Sequence, residues 1–182
     1  MSLELAQETK SAVWTGVYDV VNTTDPDLYT ETDDLTEIGA PPICIQNMNN
    51  GVDFMVNALR NRVAKEGTID LLRIHGHGIP GVQTISAWYF PRGTDFSRVR
   101  SIISYFNFEH IRASLMRLQG CFAPGAEVWL MGCEVGAKCE GLRTIKLLAK
   151  LWRVRVTAGV PTQYGGGVKT FRFEGRTETA YP

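Results

Sequence analysis

The stretch IDLLRIHGHG, residues 69–78, decides the fold class of this chain. Its first six residues, Ile69 to Ile74, form a short apolar run, and this length followed by glycines favours a buried strand over a helix. Two histidines, His75 and His77, stand at the end of the run, and each is followed by a glycine. We therefore expect a strand of a parallel sheet with polar side chains at its carboxyl end.

A second strand of the same design lies further along the chain. The sequence EVWLMGC, residues 127–133, is another apolar run, and it ends at a glycine and a cysteine. A helix predicted over residues 108–118 separates the two runs, so the connection is long enough for a right-handed crossover between parallel strands. Ligands bind outside the carboxyl ends of such strands. The sequence thus predicts that the two strands are neighbours and that His77 and Cys133 meet at one edge of the sheet.

The spacing of apolar residues predicts the remaining elements. Helical periodicity predicts helices over residues 52–63, 108–118 and 142–152. Runs of β-branched and aromatic residues predict further strands over residues 12–21, 154–158 and 168–173. The acidic stretch 25–39 and the glycine run 165–167 are predicted loops, and residues 81–95 fit either a hairpin or an irregular loop.

Strands that alternate with helices at short spacing are typical of α/β proteins. We expect a single α/β domain over residues 1–182, a three-layer sandwich in which a mainly parallel sheet has helices on both faces. Hydrophobic residues make up 44% of the chain, which is enough to fill one core of this size.

Composition argues against several classes of partner. Nineteen Lys and Arg residues balance nineteen Asp and Glu residues, and no basic run alternates with aromatics, so we expect no nucleic-acid partner. The first eight residues carry two acids where a signal peptide needs positive charge, and no apolar stretch is long enough to span a membrane. We therefore expect a cytoplasmic protein with no membrane partner, four reduced cysteines and no cofactor.

The residues at the two strand ends are sufficient for acyl transfer. A thiol with an ordinary pKa of about 8.5 is a weak nucleophile, and a nearby imidazole both lowers that pKa and accepts the proton. Cys133 is the candidate nucleophile and His77 the candidate base, while His75 is either a second base or an orienting residue. Glycines beside both residues leave room for an oxyanion hole, formed by the backbone N–H groups of Gly78 and Cys133.

These motifs resemble the caspase-like cysteine peptidases, a family that includes caspases, metacaspases, legumains and gingipains. Its pattern is an apolar strand that ends at His-Gly, followed by a second that ends at the nucleophilic cysteine. The Gly-His-Gly of residues 76–78 is similar to the metacaspase form, and the GCEVG of residues 132–136 looks closest to bacterial caspase-like domains of unassigned function.

The resemblance implies a caspase-like fold and a cysteine endopeptidase that acts on a peptide or protein substrate. It makes Cys133 and His77 the catalytic pair, and it implies a substrate pocket that includes Gln163 and Tyr164. The residues around the cysteine depart from the caspase pattern, because Gly132 precedes it where caspases have alanine and Glu134 follows it.

Two other functions remain open from the sequence. The same fold can serve as a catalytically silent, caspase-like interaction domain. His75 and His77 could also hold a metal ion with Cys133 as a third ligand, which would leave an open position for water in a metal-dependent hydrolase. No acidic residue follows the histidine pair as such a site would require, so the main prediction includes no metal ligands.

Overall fold

A six-stranded sheet forms the centre of the fold. The computed structural model describes residues 15–24, 28–87 and 93–182. The strands of this sheet are β1 (Val17–Asn22), β2 (Ile43–Ile45), β3 (Ile69–His75), β7 (Phe122–Leu130), β8 (Arg155–Gly159) and β9 (Thr177–Ala180). They lie in the order β2-β1-β3-β7-β8-β9, and every neighbouring pair is parallel except β8 and β9. The predicted mainly parallel α/β sheet is confirmed.

The two strands that decided the prediction are direct neighbours. In the parallel ladder between β3 and β7, Ile74 is opposite Leu130. The backbone N–H of Met131 then donates to the carbonyl of Ile74 at 2.9 Å. Because pairing continues to the last residue of each strand, the segments that follow leave the sheet side by side.

Three helices cover one face of the sheet. They are α2 (Gly51–Glu66), α3 (Phe108–Met116) and α4 (Lys138–Trp152), close to their predicted positions. Their buried side chains pack against every second residue of the strands and form one apolar core with them. The strand residues of this core include Val20, Leu72, Ile74 and Val128. Because successive strand residues point to opposite faces, Asp19, Arg73 and His75 lie on the other face.

The opposite face is covered by α1 (Tyr29–Glu37) and by a short 3₁₀ helix, Gly167–Phe171. The Arg73 guanidinium lies 5.3 Å from the centre of the Phe171 ring, which places the 3₁₀ helix over this face. Asp34 of α1 ties the two together, since its Oδ2 accepts from the backbone N–H of Gly167 and from the Thr170 hydroxyl, both at 2.6 Å. Helices therefore lie on both faces, three on one and one on the other among the described residues.

Two predictions of secondary structure were wrong. Part of the acidic stretch predicted as a loop is α1, which buries only Glu31 and Leu35 and so shows almost no apolar periodicity. The strand predicted over residues 168–173 is mostly the 3₁₀ helix, and the last strand is β9 instead. Each glycine of the run 165–167 has a positive φ, and together with the bonds to Asp34 these turns prevent an extended conformation.

Residues 81–95 contain one short strand, at 82–84, while the described residues 85–87 and 93–95 are irregular. β4 (Gly78–Ile79) pairs antiparallel with β5 (Val82–Thr84), which pairs with β6 (Ile102–Ser104) in a small second sheet. Outside the described residues lie 12–14 of the predicted first strand, 25–27 of the predicted acidic loop and 88–92 of the segment 81–95. Among the described helices, none is long and apolar enough to cross a membrane.

Candidate active site

A cavity of about 210 Å³ lies past the carboxyl ends of the parallel strands. His75 and His77 reach it from the end of β3, and Cys133 reaches it from the turn after β7. Gln163 and Tyr164, from the segment after β8, line it as well. All five side chains that the sequence singled out therefore surround one cavity.

The Cys133 thiol contacts the segment after β8. Its Sγ donates to the carbonyl of Gln163 at 3.1 Å, and the backbone N–H of Gln163 approaches Sγ at 3.3 Å. The N–H group can stabilise a thiolate, whereas the carbonyl accepts only from the protonated thiol. Glu134, the residue after the cysteine, has an exposed side chain, so its carboxylate can be hydrated there.

The side chain of Gln163 holds this segment in place. Its Nε2 donates to the carbonyls of Pro161 at 3.0 Å and Glu174 at 3.1 Å, and its Oε1 accepts from the Glu174 N–H at 2.8 Å. Gln163, predicted as a pocket residue, thus lines the cavity, but its side-chain amide is hydrogen-bonded to the backbone of Pro161 and Glu174. Tyr164, by contrast, is 79% exposed at the rim.

The Gly78 backbone lies against the backbone of Cys133. A Cβ built on Gly78 would come within 2.4 Å of the Cys133 carbonyl oxygen and 2.9 Å of its nitrogen, so only glycine permits this approach. Thr84 N donates to His77 O at 2.9 Å, which makes Gly78 and Gln83 a non-hydrogen-bonded pair of the ladder. The Gly78 N–H therefore points away from β5.

The N–H of Cys133 is the second donor. The N–H groups on either side of it are engaged: that of Gly132 donates to Gln83 Oε1 at 2.9 Å, and that of Glu134 donates to the Pro161 carbonyl at 3.1 Å. The Cys133 N–H has no acceptor in the described part of the chain, and Gly78 packs against the backbone of the same residue.

His75 belongs to a buried charged cluster. Its Nε2 is 2.9 Å from Asp19 Oδ1, and the Arg73 guanidinium binds both oxygens of Asp19, at 2.7 and 2.8 Å. Burial alone would raise the pKa of Asp19, but the hydrogen bonds from His75 and Arg73 outweigh it and hold that pKa below its ordinary value. Asp19 is therefore ionised, and it fixes the His75 ring.

His77 differs from His75 in exposure. His75 is 3% exposed, whereas His77 is only partly buried, one residue beyond the glycine that follows β3. The imidazole of His77 lines the same cavity as the thiol. Of the two histidines, His77 is therefore the more accessible to solvent.

Two charged residues of the cavity were not predicted from the sequence. Glu31, on α1, lines the cavity and is 4% exposed, and Lys169, on the 3₁₀ helix, lines it as well. The acidic stretch that contains Glu31 offered no signal, because it was interpreted as a loop. Asp19 and Arg73 did offer one, since a charge inside an apolar strand requires a buried partner.

The sequence also offered His75, His77 and Cys133 as a metal site. Within residues 15–24, 28–87 and 93–182, no three His, Cys, Asp or Glu side chains are grouped so that they could hold a metal ion. The Nε2 of His75 is also bonded to Asp19. The metal hypothesis therefore has no support in the described part of the chain.

Comparison with known proteins shows no family for this chain. No protein-family model and no curated protein matches the sequence. Among solved structures, a short-chain dehydrogenase/reductase from Serratia marcescens BCRC 10948 is similar with a TM-score of 0.45 and 10% identity, over 79% of this chain and 72% of that one. A short chain dehydrogenase from Mycobacterium avium has a TM-score of 0.34 and 15% identity, over 71% of this chain and about half of that one (51%). Likeness at this level carries no argument about chemistry.

The resemblance to caspase-like cysteine peptidases is contradicted by these comparisons. No match to that family supports it, and the solved structures named above are dehydrogenases. The resemblance was based on short motifs, each consisting of an apolar strand, a glycine and a reactive side chain. Many α/β sheets collect such side chains at their strand ends, whatever their function. Strand ends of this kind therefore predict the α/β fold class, but they do not identify a protein family.

Proposed function

We propose that this chain is a cysteine endopeptidase in which Cys133 is the nucleophile and His77 the general base. The observation that carries the proposal is one cavity lined by both Cys133 and His77, with the Gly78 backbone packed against that of Cys133. Thiol, base and oxyanion donors are the three parts that acyl transfer requires.

The proposed reaction uses these residues in turn. His77 accepts the thiol proton of Cys133, and the thiolate attacks the scissile carbonyl, whose oxygen receives the Gly78 and Cys133 N–H groups. His77 then donates that proton to the leaving amine, and the C–N bond breaks to give a thioester. Water, activated by His77, hydrolyses the thioester and restores the thiol.

His75 has a positioning role in this scheme. Its ring is bonded to Asp19, which is itself anchored by Arg73, so the end of β3 is held rigidly. The following segment, which carries His77, leaves the sheet from that anchored point. His75 therefore acts through His77 and does not exchange protons with the substrate.

The test is cleavage of a diverse peptide mixture, with products identified by mass spectrometry. We expect cuts at defined positions for the wild type and loss of all cuts for Cys133→Ala, while Cys44→Ala, which changes an exposed cysteine, retains them. A Cys133→Ala variant that still cuts the same bonds would rule out this nucleophile.

One contact favours a second candidate, a catalytically silent interaction domain. The thiol donates to the Gln163 carbonyl, a bond that must break before the proton can pass to His77. In a silent domain that bond is permanent, and Cys133 would show no reactivity above that of an ordinary thiol. The two candidates differ in whether an alkylating reagent selects Cys133.

A further inference from the structure

A buried glutamine contacts the turn that carries the candidate nucleophile. Gln83, on β5, has 0% of its surface exposed. Its Oε1 accepts from the backbone N–H of Gly132 at 2.9 Å, and its Nε2 donates to the carbonyl of its neighbour Thr84 at 3.1 Å. Because Gly132 directly precedes Cys133, the amide of Gln83 holds the backbone one residue before the thiol.

Thr84, the next residue of β5, contacts the turn that carries the candidate base. Its backbone N–H donates to the carbonyl of His77 at 2.9 Å. Its hydroxyl oxygen accepts from Nδ2 of Asn22, the last residue of β1, at 3.0 Å. Two consecutive residues of β5 therefore bind the carboxyl ends of β1, β3 and β7. In doing so they join the backbone of His77 to the backbone that precedes Cys133.

Two glycines pack closely against these two residues of β5. A Cβ built on Gly76 would lie 2.5 Å from the Thr84 carbonyl oxygen and 2.9 Å from Gln83 Nε2. A Cβ built on Gly132 would lie 2.9 Å from Gln83 Oε1 and 2.9 Å from the carbonyl oxygen of His77. Both turns therefore touch the glutamine amide with no free space between them. In so dense a contact, a change in that amide is transmitted to both turns.

From this arrangement we infer that Gln83 is a positioning residue, which sets the location of Cys133 relative to His77. The inference rests on the proposed function, in which these two residues exchange a proton. Both hydrogen bonds of the Gln83 amide go to backbone groups, so the residue acts through the turns and not on a substrate. Because an error of about 1 Å between reacting groups can cost about 100-fold in rate, such a spacer affects catalysis directly.

The glutamine amide supplies an acceptor and a donor at the two places that need them. Methionine has a similar length, but it leaves the buried Gly132 N–H without its acceptor, so the turn must move to find another. A neutral glutamic acid keeps both bonds, since its carbonyl oxygen accepts and its O–H donates. An ionised glutamate loses the donor and places an oxygen against the Thr84 carbonyl. Substitutions at Gln83 therefore separate the hydrogen bonds from the volume of the side chain.

The experiment follows alkylation of Cys133 by iodoacetamide, with the modified cysteine identified by mass spectrometry. In Gln83→Met we expect the rate at pH 7 to fall about tenfold, because the thiol loses its imidazole partner. The midpoint of the curve of rate against pH should rise towards about 8.5, the ordinary pKa of a thiol. With a peptide substrate, kcat should fall about 10- to 100-fold while KM stays within about twofold, since the amide of Gln83 is buried.

Thr144→Val is the matched control, because Thr144 is a buried polar residue that holds the same small sheet at other points. Its hydroxyl donates to the Gly81 carbonyl at 2.7 Å and accepts from the Tyr105 N–H at 3.0 Å. This variant should lose stability but keep the wild-type alkylation rate and pH curve within about twofold. An equal fall in both variants would mean that Gln83 only supports the fold. That result, or an unchanged rate in Gln83→Met, would overturn the inference.

Gln83→Glu keeps the test decisive if the methionine variant does not fold. At pH 6 the introduced acid is neutral, because burial raises the pKa of a carboxyl group, and Cys133 should be alkylated at no less than about half the wild-type rate. At pH 9 the acid is ionised, and the rate relative to the wild type should fall several-fold. A relative rate that is equal at the two pH values, or lower at pH 6, would count against the inference.

The inference and the proposed function fail in different ways. If Gln83→Met slows alkylation of Cys133 as expected but the wild type cuts no peptide, the endopeptidase is wrong and the positioning of the thiol stands. If the wild type cuts peptides and Gln83→Met cuts them equally well, the inference is wrong and the endopeptidase stands. If Cys133 of the wild type is alkylated no faster than the other cysteines and no peptide is cut, both fail.

Discussion

The buried cluster of Asp19, Arg73 and His75 supplies the sharpest test of the structure. The perturbation is Asp19→Asn, which keeps the shape of the side chain and removes its charge. The side chains of Asp19 and Arg73 are 1% and 2% exposed, so the arginine left behind cannot be hydrated. Two charge-assisted bonds, at 2.7 and 2.8 Å, and the contact with His75 at 2.9 Å are weakened together.

The size of the effect follows from this burial. Removing one partner of a buried ion pair costs about 3–5 kcal/mol, because it leaves an uncompensated charge inside the protein. In a chain of this length, that corresponds to a fall in Tm of about 6–20 °C. Asp33→Asn, at an exposed position on α1, should change stability by no more than about 0.5 kcal/mol.

The assay is urea denaturation at pH 7 followed by far-UV circular dichroism, with thermal melts in parallel. We also expect the double variant Asp19→Leu, Arg73→Met to be more stable than Asp19→Asn, since it contains no unpaired buried charge. A loss below 1 kcal/mol for Asp19→Asn would refute the reasoning, because it would mean that Arg73 is compensated by another partner or by water.

Four further predictions concern the site and its pH dependence. Limiting iodoacetamide should label Cys133 before the other three cysteines, and equal labelling by mass spectrometry would contradict the proposed pairing with His77. His77→Ala should lower peptide turnover about 10²- to 10⁴-fold near neutral pH, whereas His75→Ala should keep a measurable fraction; the reverse order would reassign the base. Gly78→Ala should lower kcat about 100-fold by pushing the oxyanion donors apart, and normal kcat would remove Gly78 from the mechanism. Because Asp19 has a lowered pKa in the folded state, its stabilisation is present above pH 3.8 and is lost as pH falls through the folded value; Asp19→Asn should lack this part of the acid transition in denaturation curves from pH 5 to 2.5.

The amino-acid sequence alone predicted the two strands that carry the candidate site and their order in the sheet. Short apolar runs that end at glycine predicted β3 and β7, and the helix between them predicted that the two strands are parallel neighbours. Because parallel strands end at the same edge of a sheet, His77 and Cys133 had to approach each other. These conclusions depend on the spacing of apolar residues within each segment and on the length of the connection between the strands. Both can be read from contiguous sequence. The family resemblance built on the same residues was wrong, since short motifs at strand ends are shared by unrelated α/β proteins.

Only the tertiary structure decided what else surrounds the thiol. α1 has two buried residues and therefore almost no periodic signal, yet it brings Glu31 into the cavity. The segment predicted as a last strand is held as a 3₁₀ helix by Asp34, a partner more than a hundred positions away in the chain. Asp19 meets His75 only because β1 and β3 pair in one register. Each of these contacts joins residues that are distant in sequence, so it is set by packing and by long-range hydrogen bonds, and no local pattern encodes it.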